Sequence, residues 1–140
     1  MPRTKKSETK LKFIQTVGRR KEAIARIRLY SGKGESIVNN QPISQYFPGE
    51  TAKVIYFKPF EETGTRGKYY VTAKIVGGGK TGQLEAFVHG LSRALALTDR
   101  ENFRPVLKKK GFLTRDARIR ERRKVGTGGK ARRKKQSPKR

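Results

Sequence analysis

The sequence predicts an α+β domain, a small mixed sheet with helices packed on one face, continued by a long extended basic C-terminal tail. Two changes along the chain carry that expectation. Segments of period two give way after residue 81 to a segment of helical period, and apolar content then collapses after Leu107 while positive charge persists. The divisions that follow are a basic N-terminal extension over residues 1–10, a globular domain over 11–107 and the tail over 108–140.

The first strand is expected at residues 11–17, "LKFIQTV". The second is residues 23–30, "AIARIRLY", where Ala23, Ala25, Ile27 and Leu29 face one way and Ile24, Arg26, Arg28 and Tyr30 the other. One face is then core and the other mostly basic. Turns are signalled by Ser31-Gly32-Lys33-Gly34 and by Asn39-Asn40-Gln41-Pro42, with a short helix over residues 42–47, since proline suits a first turn. Glu61-Glu62 reads as part of a turn-rich loop ending at Gly64. Residues 69–76, "YYVTAKIV", are aromatic and β-branched and predict a third strand.

Over residues 82–97, Leu84, Phe87, Val88, Leu91 and Leu95 recur at helical spacing, with Glu85, His89, Ser92 and Arg93 on the opposite side. This is the expected main helix, packed on the sheet. His89 reads as a surface residue in an i,i+4 arrangement with Glu85 and Arg93. A short last helix is expected from Pro105 to Gly111, with Lys108, Lys109 and Lys110 in the final turn, where cations suit the helix dipole.

Charge decides the class of partner. The 140 residues carry 36 Lys and Arg against 11 Asp and Glu, a formal charge of +25, which points to a polyanion. Residues 1–107 hold 20 Lys and Arg against 9 acids, and residues 108–140 hold 16 against 2. The six apolar residues after residue 108, Phe112, Leu113, Ala117, Ile119, Val125 and Ala131, bury too little to order that segment on its own. Extended, the 30 residues from Gly111 reach roughly 100 Å at about 3.3 Å each. RNA is favoured over DNA, because no zinc finger, zipper or helix-turn-helix signature is present.

Other chemistries find little footing. Zero cysteines and one histidine exclude thiolate metal sites and imidazole clusters, and no secretory h-region or long apolar run appears, so the chain is expected to be soluble and intracellular. "GGGKTG" (77–82) suggests a phosphate loop, yet the pattern G-x-x-x-x-G-K-[ST] needs a glycine where Lys74 stands. It reads as a glycine-permitted strand-to-helix junction, with close approach to an RNA backbone as the alternative. "GTGGKA" (126–131) fails the same test at Lys124. A nucleotide-hydrolysing enzyme and a free nucleic-acid chaperone or DNA compactor are the competing classes.

Four stretches then match one family: "TVGRRKEAIARIRLYSGKG" (16–34), "VGGGKTGQLEAFVHGLSRAL" (76–95), "LKKKGFLTRDARIRERRKVG" (107–126) and "KARRKKQSPKR" (130–140). In these the chain resembles the small-subunit ribosomal protein S-nine family, the ninth protein of the small subunit, in its bacterial-type form. The resemblance implies a fold shared with the second domain of another small-subunit protein. It implies a structural constituent of the cytoplasmic ribosome, neither an enzyme nor a cofactor carrier, with no membrane or small-molecule partner. The tail would thread through ribosomal RNA of the subunit head beside neighbouring head proteins and end near the anticodon stem-loop of P-site transfer RNA.

Ribosomal RNA contacts are accordingly expected at Arg19, Arg20, Lys21, Arg26, Arg28, Lys80, Lys108, Lys109, Lys110, Arg115, Arg118, Arg120, Arg122, Arg123, Lys124, Lys130, Arg132 and Arg133, and transfer RNA contacts at Lys139 and Arg140. Two departures stand out. The family's G-x-x-K-A-R becomes the longer Gly126-Thr127-Gly128-Gly129-Lys130-Ala131-Arg132, and its Gln, aromatic, Ser, Lys, Arg ending becomes Gln136-Ser137-Pro138-Lys139-Arg140.

Overall fold

The structure is a computed structural model and describes residues 13–122. Strand β1 (Phe13–Arg20) and strand β2 (Ala23–Ser31) form an antiparallel hairpin closed at the Arg20–Ala23 pair, with Lys21 at φ 52° in the turn. A short antiparallel pair follows, β3 (Ile37–Val38) and β4 (Gln41–Pro42). Its two-residue turn is Asn39-Asn40, both with positive φ (49° and 65°), as a hairpin of matching twist requires. Helices α1 (Ile43–Tyr46) and α2 (Glu50–Thr63) lead to β5 (Tyr69–Val76), which lies antiparallel to β2 and parallel to β3. The sheet is therefore mixed, in the order β1-β2-β5-β3-β4. Helices α3 (Lys80–Thr98) and α4 (Phe103–Lys109) complete the domain.

Core residues come from one face of the sheet. Ala23, Ala25, Ile27 and Leu29 of β2 and Val71, Ala73 and Ile75 of β5 are buried under Leu84, Phe87, Leu91 and Leu95 of α3, with Phe47, Tyr56, Phe60 and Leu107 closing the sides. Small residues let α3 lie close on β1. A Cβ at Gly18 would stand 2.0 Å from the Ala86 carbonyl oxygen and one at Gly90 2.6 Å from Ile27, so neither site has room for a side chain. The Thr16 hydroxyl donates to the Gly90 carbonyl at 2.7 Å, satisfying a buried polar group across the same seam.

Residues 69–76 form the third predicted strand with the predicted ends. Strand β1 runs three residues beyond its expected end, carrying Gly18, Arg19 and Arg20 into the sheet, while Leu11 and Lys12 lie outside the described residues. Helix α3 begins two residues early, at Lys80, and α4 begins at Phe103. Ser92, expected on the outer side of the main helix, is fully buried, its hydroxyl returned to the Val88 carbonyl at 2.7 Å. Helix α2 is the main correction: Glu61 and Glu62 sit in its last turn, not in a loop, and Gly64 is its left-handed cap at φ 65°. Packing continues past Leu107. Gly111 (φ 79°) turns the chain, the Phe112 amide donates to the Leu107 carbonyl at 3.1 Å, and Phe112 and Leu113 rest against the core.

Candidate nucleic-acid interface

The sheet face opposite the helices is open. Strand alternation places Arg26 and Arg28 of β2 and Lys74 of β5 on it. Register sets Arg26 directly against Lys74 on one side and Val17 on the other, and Arg28 between Gln15 and Thr72. Among the described residues, no carboxylate pairs with any of these three cations within 4.0 Å. Like charges directly opposite each other destabilise a sheet, so the arrangement is built for an anion supplied from outside. Gln15, Asn40 and Thr72 line the same shallow concavity and add neutral donors and acceptors.

Aromatic rings border this patch and pack largely on one another. Tyr30 and Tyr70 stack on each other at 5.1 Å and 10°, Phe13 tilts against Tyr30 at 5.5 Å, and the Arg28 guanidinium lies 5.0 Å from the Phe13 centroid. Gly34 packs on the Tyr70 ring, where an added Cβ would come within 2.8 Å. Much of the ring surface is thus taken up by neighbours. The patch therefore presents cations, amides and hydroxyls, the chemistry of phosphate and sugar contacts.

The other expected contacts divide by setting. Arg19 is exposed on β1, and Lys21 is exposed at the tip of the first hairpin. Lys80 stands at the start of α3, its Nζ 3.3 Å from the Tyr46 carbonyl and 5.2 Å from that ring. Lys108, Lys109 and Lys110 are exposed around the end of α4, Lys110 reaching Glu62 at 3.9 Å. Arg115, Arg118, Arg120 and Arg122 are exposed along the root of the tail. Arg123, Lys124, Lys130, Arg132, Arg133, Lys139 and Arg140 lie outside the described residues.

Arg20 is unlike its neighbours. Its side chain is 10% exposed, on the helix-facing side of β1, and its Nε pairs with Glu85 of α3. One terminal nitrogen also bonds Asp116 at 2.9 Å. Asp116 is in turn gripped by Arg118, whose hydrogen bonds hold its carboxyl well below the usual carboxylate range. His89 departs from its expected surface pairing as well. It is half-buried, its Nδ1 accepts the Arg19 amide at 3.4 Å, and burial, reinforced by Arg93 and Arg115, pushes its imidazole below its ordinary value against an opposing hydrogen bond at Leu113.

The glycine junction is backbone chemistry. Gly77 and Gly78 have φ of 77° and 66°, and a Cβ on Gly77 would stand 2.6 Å from the Glu22 carbonyl oxygen, so the turn into α3 demands glycine. Sequence reasoning missed Lys74 as part of the basic patch. Its signal was present in the alternation of "YYVTAKIV", but placing it beside Arg26 requires knowing that β5 pairs with β2.

No helix among the described residues is long and apolar enough to cross a membrane. Residues 18–140 match the family described as ribosomal protein S9/S16, a span that takes in the glycine junction, the open basic face and the whole tail. The match and the unpaired cations agree on a structural, RNA-binding protein of the ribosome, and the chain belongs to the ribosomal protein S9/S16 family.

Proposed function

We propose that the chain is a constituent of the small ribosomal subunit that binds ribosomal RNA of the head through its open sheet face and its tail, with Lys139 and Arg140 contacting P-site transfer RNA. The observation that carries this reading is the cluster Arg26, Arg28 and Lys74, three cations on one face with no carboxylate partner among the described residues. Arg19, Lys21, Lys80 and the cations at 108–110 extend the contact around the domain. Arg115, Arg118, Arg120 and Arg122 begin the contact along the tail, which Arg123, Lys124, Lys130, Arg132 and Arg133 continue. Neighbouring head proteins complete the surroundings.

Sedimentation tests the assignment to a subunit. Tagged protein is expected in the small-subunit peak at moderate salt, and recovery with the large subunit or with DNA would overturn it. Filter binding tests the tail end, using initiator and elongator transfer RNAs on programmed small subunits. Removing Lys139 and Arg140 is expected to weaken both by about 1–3 kcal/mol, the scale of one lost charge-assisted contact. Equal loss for both follows because phosphate contacts position a ligand without reading its bases. Unchanged binding would refute the contact.

A further inference from the structure

We infer that Arg20 is a positioning residue for the tail: it fixes the direction in which the chain beyond residue 118 leaves the domain, and is not itself a contact to RNA. Strand alternation turns it toward the helix layer with Thr16 and Gly18, the other buried positions of β1. There its guanidinium meets Glu85, the Asp116 carboxylate at 2.9 Å, and the backbone carbonyls of Arg118 at 3.0 Å and Asp116 at 3.3 Å. Two of those partners are main chain, so the root of the tail is held partly by its backbone, while the Arg118 side chain pairs with Asp116 on the solvent side. Arg118 is 83% exposed beside the latch. Asp116 also accepts the Arg118 amide at 3.1 Å, closing a small turn that presents both carbonyls to Arg20.

A planar fork with donors on separate nitrogens lets one side chain from a strand bridge a helix and a main-chain turn at once. Lysine carries its donors on a single nitrogen and cannot reproduce that geometry. The latch also explains an acid in a basic arm. Residues 108–140 contain two carboxylates among 16 cations, and each opposes binding to a polyanion. Asp116 is shared between Arg20 and Arg118, so its charge is answered within the protein. A tail whose exit is preset loses less freedom on docking, which is how Arg20 would serve RNA binding from a distance. That last step rests on the RNA-binding reading above; the latch itself does not.

The chain has no cysteine, so paired labels can be placed freely. Spin labels at Lys53→Cys on α2 and Ile119→Cys, both exposed, are read by pulsed electron resonance on the full chain without RNA. One narrow distance is expected in the parent, broadened by Arg20→Met, by Arg20→Lys and by Asp116→Ala. Should Arg20→Met fail to fold, Asp116→Ala alters only an irregular segment and carries the test. A distance equally narrow in Asp116→Ala, or already broad in the parent, overturns the latch.

Filter binding to a transcript of small-subunit ribosomal RNA then separates aim from contact. Asp116→Ala raises net charge by one, so a pure charge effect predicts tighter binding. The latch predicts weaker binding, by about three- to tenfold for one lost ordering contact. Arg20→Met is expected to leave the slope of log affinity against log salt unchanged, whereas a direct phosphate contact would lower it by about one. Tighter binding of Asp116→Ala, or a reduced slope for Arg20→Met, overturns the positioning role. Failure of the parent to bind the transcript would remove the RNA reading and with it that role, and leave the distances to decide the latch alone.

Discussion

Lys74 faces Arg26 across the β2–β5 pairing with no carboxylate paired to either among the described residues, and the two demands on it have opposite signs. In the free protein the like-charge pair costs up to about 1 kcal/mol, so Lys74→Thr is expected to raise the urea midpoint slightly. On ribosomal RNA the same change is expected to reduce the salt slope by about one phosphate contact. A midpoint that falls, or an unchanged slope, would mean that Lys74 supports the sheet and not the ligand. His89 gives a second test at this scale. Burial holds its folded value below the ordinary imidazole value of about 6.5, so the unfolded chain takes up a proton first as pH falls. Its contribution is complete above that value and is lost below it. Stability by urea unfolding is therefore expected to fall from pH 7 to pH 5.5 in the parent and less so in His89→Gln, whose amide oxygen can still accept the Arg19 amide. Equal slopes would assign the acid sensitivity elsewhere.

Among the elements, the contact of β1 with α3 is the tightest joint in the fold. Gly18→Ala would place a methyl 2.0 Å from the Ala86 oxygen and 2.3 Å from the Gly90 nitrogen, backbone atoms that move only if the helix lifts. The expected cost is at the upper end of about 1–3 kcal/mol for overpacking, seen as a lower urea midpoint at constant slope. Ordinary stability would show that α3 can slide. Legibility also varied by element, and for physical reasons. β2 and β5 were readable because each buries one face, which imposes a clean period of two. α3 was readable from large apolar residues at helical spacing, but it packs on the sheet and also on α2 and α4, which is why Ser92 on its expected outer side is buried. α2 was not, because it leaves Val54 63% exposed while burying Tyr56, Pro59 and Phe60, and an internal proline hides a helix from any pattern. β3 and β4, two residues each, are too short to show a period. Of the basic residues, identity was legible and orientation less so. Arg26 and Arg28 followed from alternation, whereas Lys74 needed a pairing between strands far apart in sequence, and Arg20 needed β1 to continue past Val17.

For the whole molecule, the question is how domain and tail share stability and binding. Removing residues 119–140 takes away most of the arm's cations but none of the packing described at its root. Cooperative thermal unfolding is expected to be unchanged, with RNA affinity sharply lower. If the arm makes roughly 6–10 phosphate contacts, the parent's affinity should drop by about 10³–10⁵ between 50 and 200 mM salt, and the shortened chain's far less. Removing residues 111–140 also strips Phe112 and Leu113 from the core and Asp116 from Arg20. That chain is expected to fold cooperatively but to lose about 1–3 kcal/mol, the scale of one partly buried apolar pair. Loss of cooperative unfolding would make the root of the tail part of the folding unit.

The row of rings at the border of the open sheet face also has a spectroscopic use. The chain contains no tryptophan and five tyrosines, two of which, Tyr30 and Tyr70, lie 5.1 Å apart and within 10° of parallel. Such a pair behaves as two coupled oscillators, and its near-ultraviolet circular dichroism depends on ring separation and tilt with no indole to mask it. Because the pair sits on β2 and β5 beside Arg28, an anion drawn onto that face perturbs the oscillators directly. Titration with ribosomal RNA is therefore expected to change the near-ultraviolet signal without any label, and Tyr70→Leu to remove the pair's contribution to that change.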